Sequence, residues 1–273
     1  MEYVKPKKAL GQHFLTDMTV AERIASTLDA YKGVPVLEIG PGTGVLTQFL
    51  LAHHGADSLV LAEIDSESVA WLREHLPQPQ PRIIEGDFLR LPLDTIFGGR
   101  PFALIGNYPY NISSQIFFHM LEYRDHVPFC SGMLQREVAE RIAAAPGTRT
   151  RGILSVLLQL WYDVRYLFTV PPGVFNPPPK VKSAVVRLTR NGSDDCGCDE
   201  RLLRRVVKTA FNQRRKMLRG SLKPLFAQLD AEAGRAADHT AFLAQAALTR
   251  RPEQLSVKEF VDLTNDIARE TAQ

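Results

Sequence analysis

Leu37-Glu-Ile-Gly-Pro-Gly-Thr-Gly44 is the stretch whose reading decides the fold class. It closes a β-rich run, residues 34–39, and opens a stretch of helical length and period, residues 45–53. Gly40, Gly42 and Gly44 let a strand turn sharply into a helix while the backbone stays close to a ligand. The spacing is G-x-G-x-G, not the G-x-G-x-x-G that seats a dinucleotide pyrophosphate. Outward from this turn the alternation continues. Residues 58–63, 82–85, 102–105 and 129–134 read as buried strands, and helix-patterned stretches such as 66–75 lie between them. Strand and helix in alternation predict a mostly parallel sheet with helices on both faces, an α/β fold.

Two further β-rich runs, 164–170 and 184–188, are joined by residues 171–179, whose five prolines exclude helix and predict a stiff surface loop. Asn191-Gly-Ser-Asp-Asp-Cys-Gly-Cys198 is small and polar, and reads as a linker. After it, Leu202, Leu203, Val206, Val207, Ala210 and Phe211 recur at helical spacing. The expected organisation is therefore a sheet domain over residues 1–190 and a small all-helical domain over 199–273.

The chain has 273 residues, 45% of them apolar and 23% charged, the balance of an ordinary globular protein. No apolar run approaches the roughly 18 residues of a membrane span. The best, residues 153–161, is short and interrupted by Ser155 and Gln159. Three cysteines are too few for a disulfide framework, and the basic stretch around Lys5, Lys7 and Lys8 lacks the apolar core of a signal peptide. A reducing, cytoplasmic setting is expected. Cys196 and Cys198 have no histidine or cysteine pair at zinc spacing, so no metal site is expected. No cysteine follows a proline, which leaves no nucleophile for methylating a pyrimidine carbon.

Net charge is only +3, but its distribution is uneven. Between Arg201 and Lys223 stand nine basic residues, Arg214, Arg215, Lys216 and Arg219 among them, and no acidic one. A block of one sign is the footprint of a polyanion partner.

Acidic residues mark the ends of the predicted strands. Glu63 ends the second, where a carboxylate can accept from both hydroxyls of a ribose. Asp87 ends the third and can accept from an adenine amino group. With Gly40 and Gly42 they lie at C-terminal strand ends, where open α/β sheets bind ligands. A nucleoside cofactor without a pyrophosphate fits, and S-adenosylmethionine is the candidate. After the fourth strand comes Gly106-Asn-Tyr-Pro-Tyr110. An exocyclic adenine nitrogen is a poor nucleophile because its lone pair is delocalised into the ring. The side-chain oxygen of Asn107 and the carbonyl of Tyr108 or Pro109 can grip its two N–H groups, while Tyr110 offers a face for stacking, worth roughly 1–3 kcal/mol per base. Glutamine methyltransferases of proteins share this logic without needing a basic block. A non-catalytic RNA-binding factor would have no use for the acidic set or for Asn107.

In order, Lys8-Ala-Leu-Gly-Gln-His-Phe-Leu15, Glu38-Ile-Gly-Pro-Gly-Thr-Gly44, Glu63-Ile-Asp65, Gly86-Asp-Phe88, Gly106-Asn-Tyr-Pro-Tyr-Asn-Ile-Ser113, Val174-Phe-Asn-Pro-Pro-Pro-Lys-Val181 and Phe211-Asn-Gln-Arg-Arg-Lys216 resemble the KsgA/RsmA family of ribosomal RNA adenine N6,N6-dimethyltransferases, relatives of the Erm methylases. The resemblance implies a Rossmann-like class I methyltransferase domain with a seven-stranded sheet. It implies that His13 and Leu15 cover the cofactor, that Gly40 contacts its methionine part, and that Glu63, Asp87 and Asn107 complete the pocket. Phe175 would stack on the target base opposite Tyr110. The implied reaction places two methyl groups on N6 of each of two adjacent adenosines near the 3′ end of small-subunit ribosomal RNA, in a late precursor particle. The basic block would hold phosphates and the protein would act as a monomer. Three positions depart from the commonest family pattern: His13, where asparagine is also usual, Tyr108, where leucine is usual, and Lys182, where an acid is frequent. The Phe211 and triple-proline segments look more like KsgA than Erm.

Overall fold

A computed structural model describes residues 4–31 and 33–272. They form two compact units. One takes the chain as far as Ala139 and again over Asp163–Arg190; the other takes Glu140–Tyr162 and the chain from Asn191 onward.

The first unit is built on a seven-stranded sheet. Its strands are β2 (Val36–Ile39), β3 (Leu59–Glu63), β4 (Arg82–Glu85), β5 (Ala103–Gly106), β6 (Phe129–Gln135), β7 (Tyr162–Val170) and β9 (Ser183–Arg190), in the order β4-β3-β2-β5-β6-β9-β7. The first five are parallel, and β9 runs antiparallel to β6. Strands β2, β3 and β5 are buried along their whole length, which is why they read as continuous apolar runs. Two short strands, β1 (Phe14–Leu15) and β8 (Phe175–Asn176), pair antiparallel outside this sheet. Helix α1 (Met18–Ala25) precedes β2, helices α2 (Thr47–His54), α3 (Ser66–His75) and α4 (Ser113–Glu122) belong to the crossovers between parallel strands, and α5 (Arg136–Ile142) follows β6. Aspartates start two of them: Asp17 accepts from the Val20 amide at 3.1 Å, and Asp65 accepts from the Glu67 amide at 3.3 Å.

Strand order reverses between β2 and β5, because β3 and β4 lie to one side of β2 and β6 to the other. That reversal is where open α/β sheets form a crevice. Register then sets what lines it. Ile39 pairs with Ala62 on one side and with Gly106 on the other, so Gly40, Glu63 and Asn107, the next residues, emerge side by side. Glu63 pairs with Glu85, which brings Gly86 and Asp87 up beside it.

The proline-rich segment, expected as a stiff surface loop, is largely exposed and is tied down along its length. It holds β8, Thr16 donates its amide to the Val174 carbonyl at 2.8 Å, and His13 Nδ1 donates to the Pro177 carbonyl at 2.8 Å. The segment is zipped to the chain around residue 15.

The second unit contains α6 (Ile153–Trp161), α7 (Glu200–Asn212), α8 (Leu218–Ser221), α9 (Lys223–Glu232), α10 (Thr240–Leu243) and α11 (Val257–Glu270). Its start after Arg190 coincides with the predicted linker, whereas residues 140–162, placed by the sequence reading in the sheet domain, group with the helices instead. Helix α6 is the reason. Leu154, Val156, Leu157, Leu158, Leu160 and Trp161 are all buried, so its apolar surface runs round the helix and α7 and α11 both pack on it. Among the described residues, no helix is long and apolar enough to cross a membrane.

Candidate active site

The crevice at the reversal is a concave, mostly apolar pocket with a few converging polar groups, the usual character of a small-molecule site. His13, Gly40, Gly42, Glu63, Asp87, Asn107, Pro109 and Tyr110 line it together. Eight residues singled out from the sequence thus converge on one space. Ile64 and Phe88 line it as well, beside the acids that the sequence points to. Each directly follows one of those acids, and an apolar residue flanking a strand-end carboxylate is the signal that could have found them.

The glycine turn is tight for a reason. Gly42 has φ +57°, its amide donates to Glu63 Oε2 at 3.0 Å, and a Cβ there would stand 2.9 Å from the Phe14 ring. Gly40, with φ +64°, keeps the adjoining backbone low. Glu63 is 4% exposed. Burial pushes its carboxyl above the ordinary range, against the hydrogen bonds it accepts from the Asp65 and Gly42 amides. Those bonds, at 2.9 and 3.0 Å, fix both oxygens in place. Asp87 sits at the rim, one oxygen accepting from the Leu89 amide at 3.0 Å.

Opposite them, Asn107 Nδ2 donates to the His13 carbonyl at 3.0 Å, which leaves Oδ1 as the accepting atom. Tyr108 is fully buried and holds the turn from below. Its amide donates to the Met133 carbonyl at 2.9 Å, and its hydroxyl donates to the Ser131 carbonyl at 2.6 Å. This bond explains how a tyrosine is accommodated at a position where leucine is usual, since a buried hydroxyl needs a partner. Tyr110 shares a hydrogen bond with Ser183 Oγ, and burial raises its phenol above the usual value, so it presents a neutral face. A second cleft shares His13 and Tyr110 with the cavity and continues along Gln135 and Pro177–Pro179 to Val181.

Two expected site residues are not brought to the cavity. Leu15 and Phe175 are each 4% exposed, pair with each other across β1 and β8, and pack in the hydrophobic core with Ile24, Met133 and Val185. Phe175 therefore belongs to the core and does not line the cavity. The ring that meets Tyr110 is that of His13, with centroids 5.3 Å apart. The basic block is not one uniform surface. The charges are spread over α7, the turn after it, α8 and the start of α9. Arg204 pairs with Glu200 and Arg205 with Glu232, each at 2.8 Å. Arg214 donates to the Arg149 carbonyl. Arg214, Arg215, Lys216 and Arg219 nevertheless all remain exposed.

Residues 4–265 match the family model described as ribosomal RNA adenine dimethylase. The chain belongs to that family. A relative in Bacteroides thetaiotaomicron named ribosomal RNA small subunit methyltransferase A is 58% identical over 268 residues, covering 98% of this chain and 96% of the relative. A relative of the same name in Flavobacterium johnsoniae is 49% identical over the full length of both chains. Among solved structures, a dimethyladenosine transferase from Plasmodium falciparum shares the fold with a TM-score of 0.75 at 23% identity, over 94% of this chain and 98% of that one. The 23S rRNA methyltransferase ErmE superposes with a TM-score of 0.64 at 26% identity, over 91% and 99%. As a member of the adenine dimethylase family, the protein is a methyltransferase, and its mostly parallel seven-stranded sheet is the Rossmann-like class I arrangement.

Proposed function

We propose that the cavity holds S-adenosylmethionine and that the protein methylates N6 of two adjacent adenosines near the 3′ end of small-subunit ribosomal RNA, within a precursor particle. One observation carries this reading: register places Gly40, Glu63 and Asn107 side by side, so a nucleoside binding surface and an amine-orienting amide share one cavity. The names of the relatives at 49–58% identity support the RNA and the subunit.

The residues present fit the cofactor. Gly40 and Gly42 leave a backbone cradle that a Cβ would fill, the Glu63 carboxylate is held in place for ribose hydroxyls, and Ile64 and Phe88 offer apolar surface for a base. When bound, the cofactor supplies an electrophilic methyl group on a sulfonium. The protein's part is then positioning rather than proton abstraction. Asn107 Oδ1 accepts one N–H of the adenine amino group, and the carbonyl of Tyr108 or Pro109 accepts the other. These bonds strengthen as the nitrogen becomes tetrahedral and its charge rises. Tyr110 stacks on the base, which has left its own stack to enter from the cleft shared with His13. The proton leaves afterwards, from an alkylated and therefore acidic amine. Arg214, Arg215, Lys216 and Arg219 contact phosphates, which positions the particle without reading bases.

The test is incubation with labelled S-adenosylmethionine and, in parallel, unmethylated small subunits, large subunits and total protein, followed by mapping of the modified residue. Label on two neighbouring adenosines near the small-subunit RNA 3′ end is expected. Label on large-subunit RNA or on glutamine would overturn the assignment.

A further inference from the structure

Asp65 does more than start α3. A helix-capping aspartate needs only the amides of its first turn and solvent, yet this side chain is 3% exposed and gathers partners from far along the chain. Oδ1 accepts from Lys7 Nζ at 2.5 Å, and Oδ2 accepts from Gln12 Nε2 at 3.2 Å and from Ser68 Oγ at 3.1 Å. Its own amide donates to Glu63 Oε1 at 2.9 Å. The segment it grips is ordered within itself, since Gln12 Oε1 accepts from the Lys7 amide at 2.7 Å. On the far side of the cavity the same segment is tied down again, where the His13 carbonyl accepts from Asn107. Between these two anchors, Leu10, Gly11 and Gln12 form part of the cavity lining.

We infer that Asp65 is a positioning residue that latches the segment from Lys7 to His13 across the cavity mouth and so sets how long the bound nucleoside cofactor is retained. It joins floor to roof. Its amide fixes Glu63 below, and its carboxylate holds Lys7 and Gln12 above, so that opening the roof leaves a buried carboxylate without its cation. The titration properties agree with a working ion pair. Burial would raise the Asp65 carboxyl, but bonds from Lys7, Gln12 and Ser68 outweigh it and hold it below its ordinary value, and the bonds to Asp65 and, second, to the exposed Glu67 at 3.0 Å hold the Lys7 ammonium above its own. The latch rests on the reading of the cavity as the S-adenosylmethionine site, but not on which RNA is methylated.

The experiment uses the full chain and S-adenosylmethionine, with the dissociation constant from calorimetry and the dissociation rate from stopped-flow displacement. Because Asp65→Ala removes a helix cap and can unfold the protein, the primary variant is Lys7→Met, at a half-exposed side chain. Lys7→Met is expected to speed cofactor release and raise its KM roughly five- to ten-fold, the scale of one charge-assisted hydrogen bond at a partly exposed site. The kcat at saturating cofactor and the melting temperature of the ligand-free protein should stay as in wild type. Lys7→Arg should restore most of the affinity. Asp65→Asn, which keeps the cap, should match Lys7→Met, and combining the two should add little. Wild-type affinity and release rate in Lys7→Met would overturn the latch. So would a fall in kcat at unchanged KM. A wild-type protein that fails to bind S-adenosylmethionine at all would overturn the reading of the cavity along with it.

Discussion

The cavity of the sheet unit and the basic stretch of the helical unit use charge in opposite ways. In the first, Glu63 and Asp65 are 4% and 3% exposed, and each is held by named donors. In the second, Arg214, Arg215, Lys216 and Arg219 are exposed. Buried, fixed charge keeps its strength in salt and is organised before a ligand arrives. Exposed charge is screened within about 10 Å at 0.1 M salt and acts mainly on encounter. Chemistry therefore belongs to the cavity and particle capture to the basic stretch, and the two should fail differently when altered.

The sharpest division concerns Phe175, which lies in the sheet unit but outside its cavity. Phe175→Ala is expected to lower folding stability by about 3–5 kcal/mol, read from the denaturant midpoint. Loss of turnover at unchanged stability would return it to the role of an aromatic wall. Within the cavity, Asn107→Ala should lower kcat by about 10²- to 10³-fold, the scale of one lost transition-state hydrogen bond, while weakening cofactor binding only modestly. Wild-type turnover would remove the amine-orienting role.

Glu38 probes the cost of burying a carboxyl without touching the substrate. Burial lifts its carboxyl to about 8, against a hydrogen bond from Thr47 Oγ1 at 2.8 Å. The folded chain therefore holds a proton that the unfolded chain releases near 4.5. Folding takes up that proton between the two values, so stability falls as pH rises through this window. Glu38→Gln should flatten the dependence, with a gap on the order of a few kcal/mol at the top of the window. Parallel pH profiles for the two proteins would show that Glu38 does not titrate as described.

The smallest effect is expected in the other region. Replacing Arg214, Arg215 and Lys216 by alanine should weaken particle binding and reduce its salt slope by roughly one for each phosphate no longer gripped. The kcat on saturating particles should not change. An unchanged slope would assign these residues another duty.

Much of this was legible in the sequence because parallel strands carry a simple rule. A continuous apolar run ends, and the next residue faces the ligand. That rule finds Gly40, Glu63 and Asn107 without any knowledge of strand order, while Asp87 stands two residues beyond β4, a strand that is neither apolar throughout nor buried. It cannot place Phe175, since an aromatic residue among prolines reads the same whether exposed or buried, and its partner Leu15 lies far away in sequence. Nor can it divide the basic block, because Glu232, which neutralises Arg205, is also distant. Residues 140–162 follow the sheet domain by position along the chain, and only the all-round apolar character of α6 argues for the helices. Asp65 stands inside a motif but shows no sign there of a latch, because its partners Lys7 and Gln12 become neighbours only once the chain is folded.

The most direct test is a crystal soaked with S-adenosylmethionine. The account predicts the ribose hydroxyls on Glu63, the methionine part against the Gly40 turn, and the methyl group directed at the space in front of Asn107 and Pro109. A nucleoside bound elsewhere, or one whose methyl group faces away from Asn107, would contradict it.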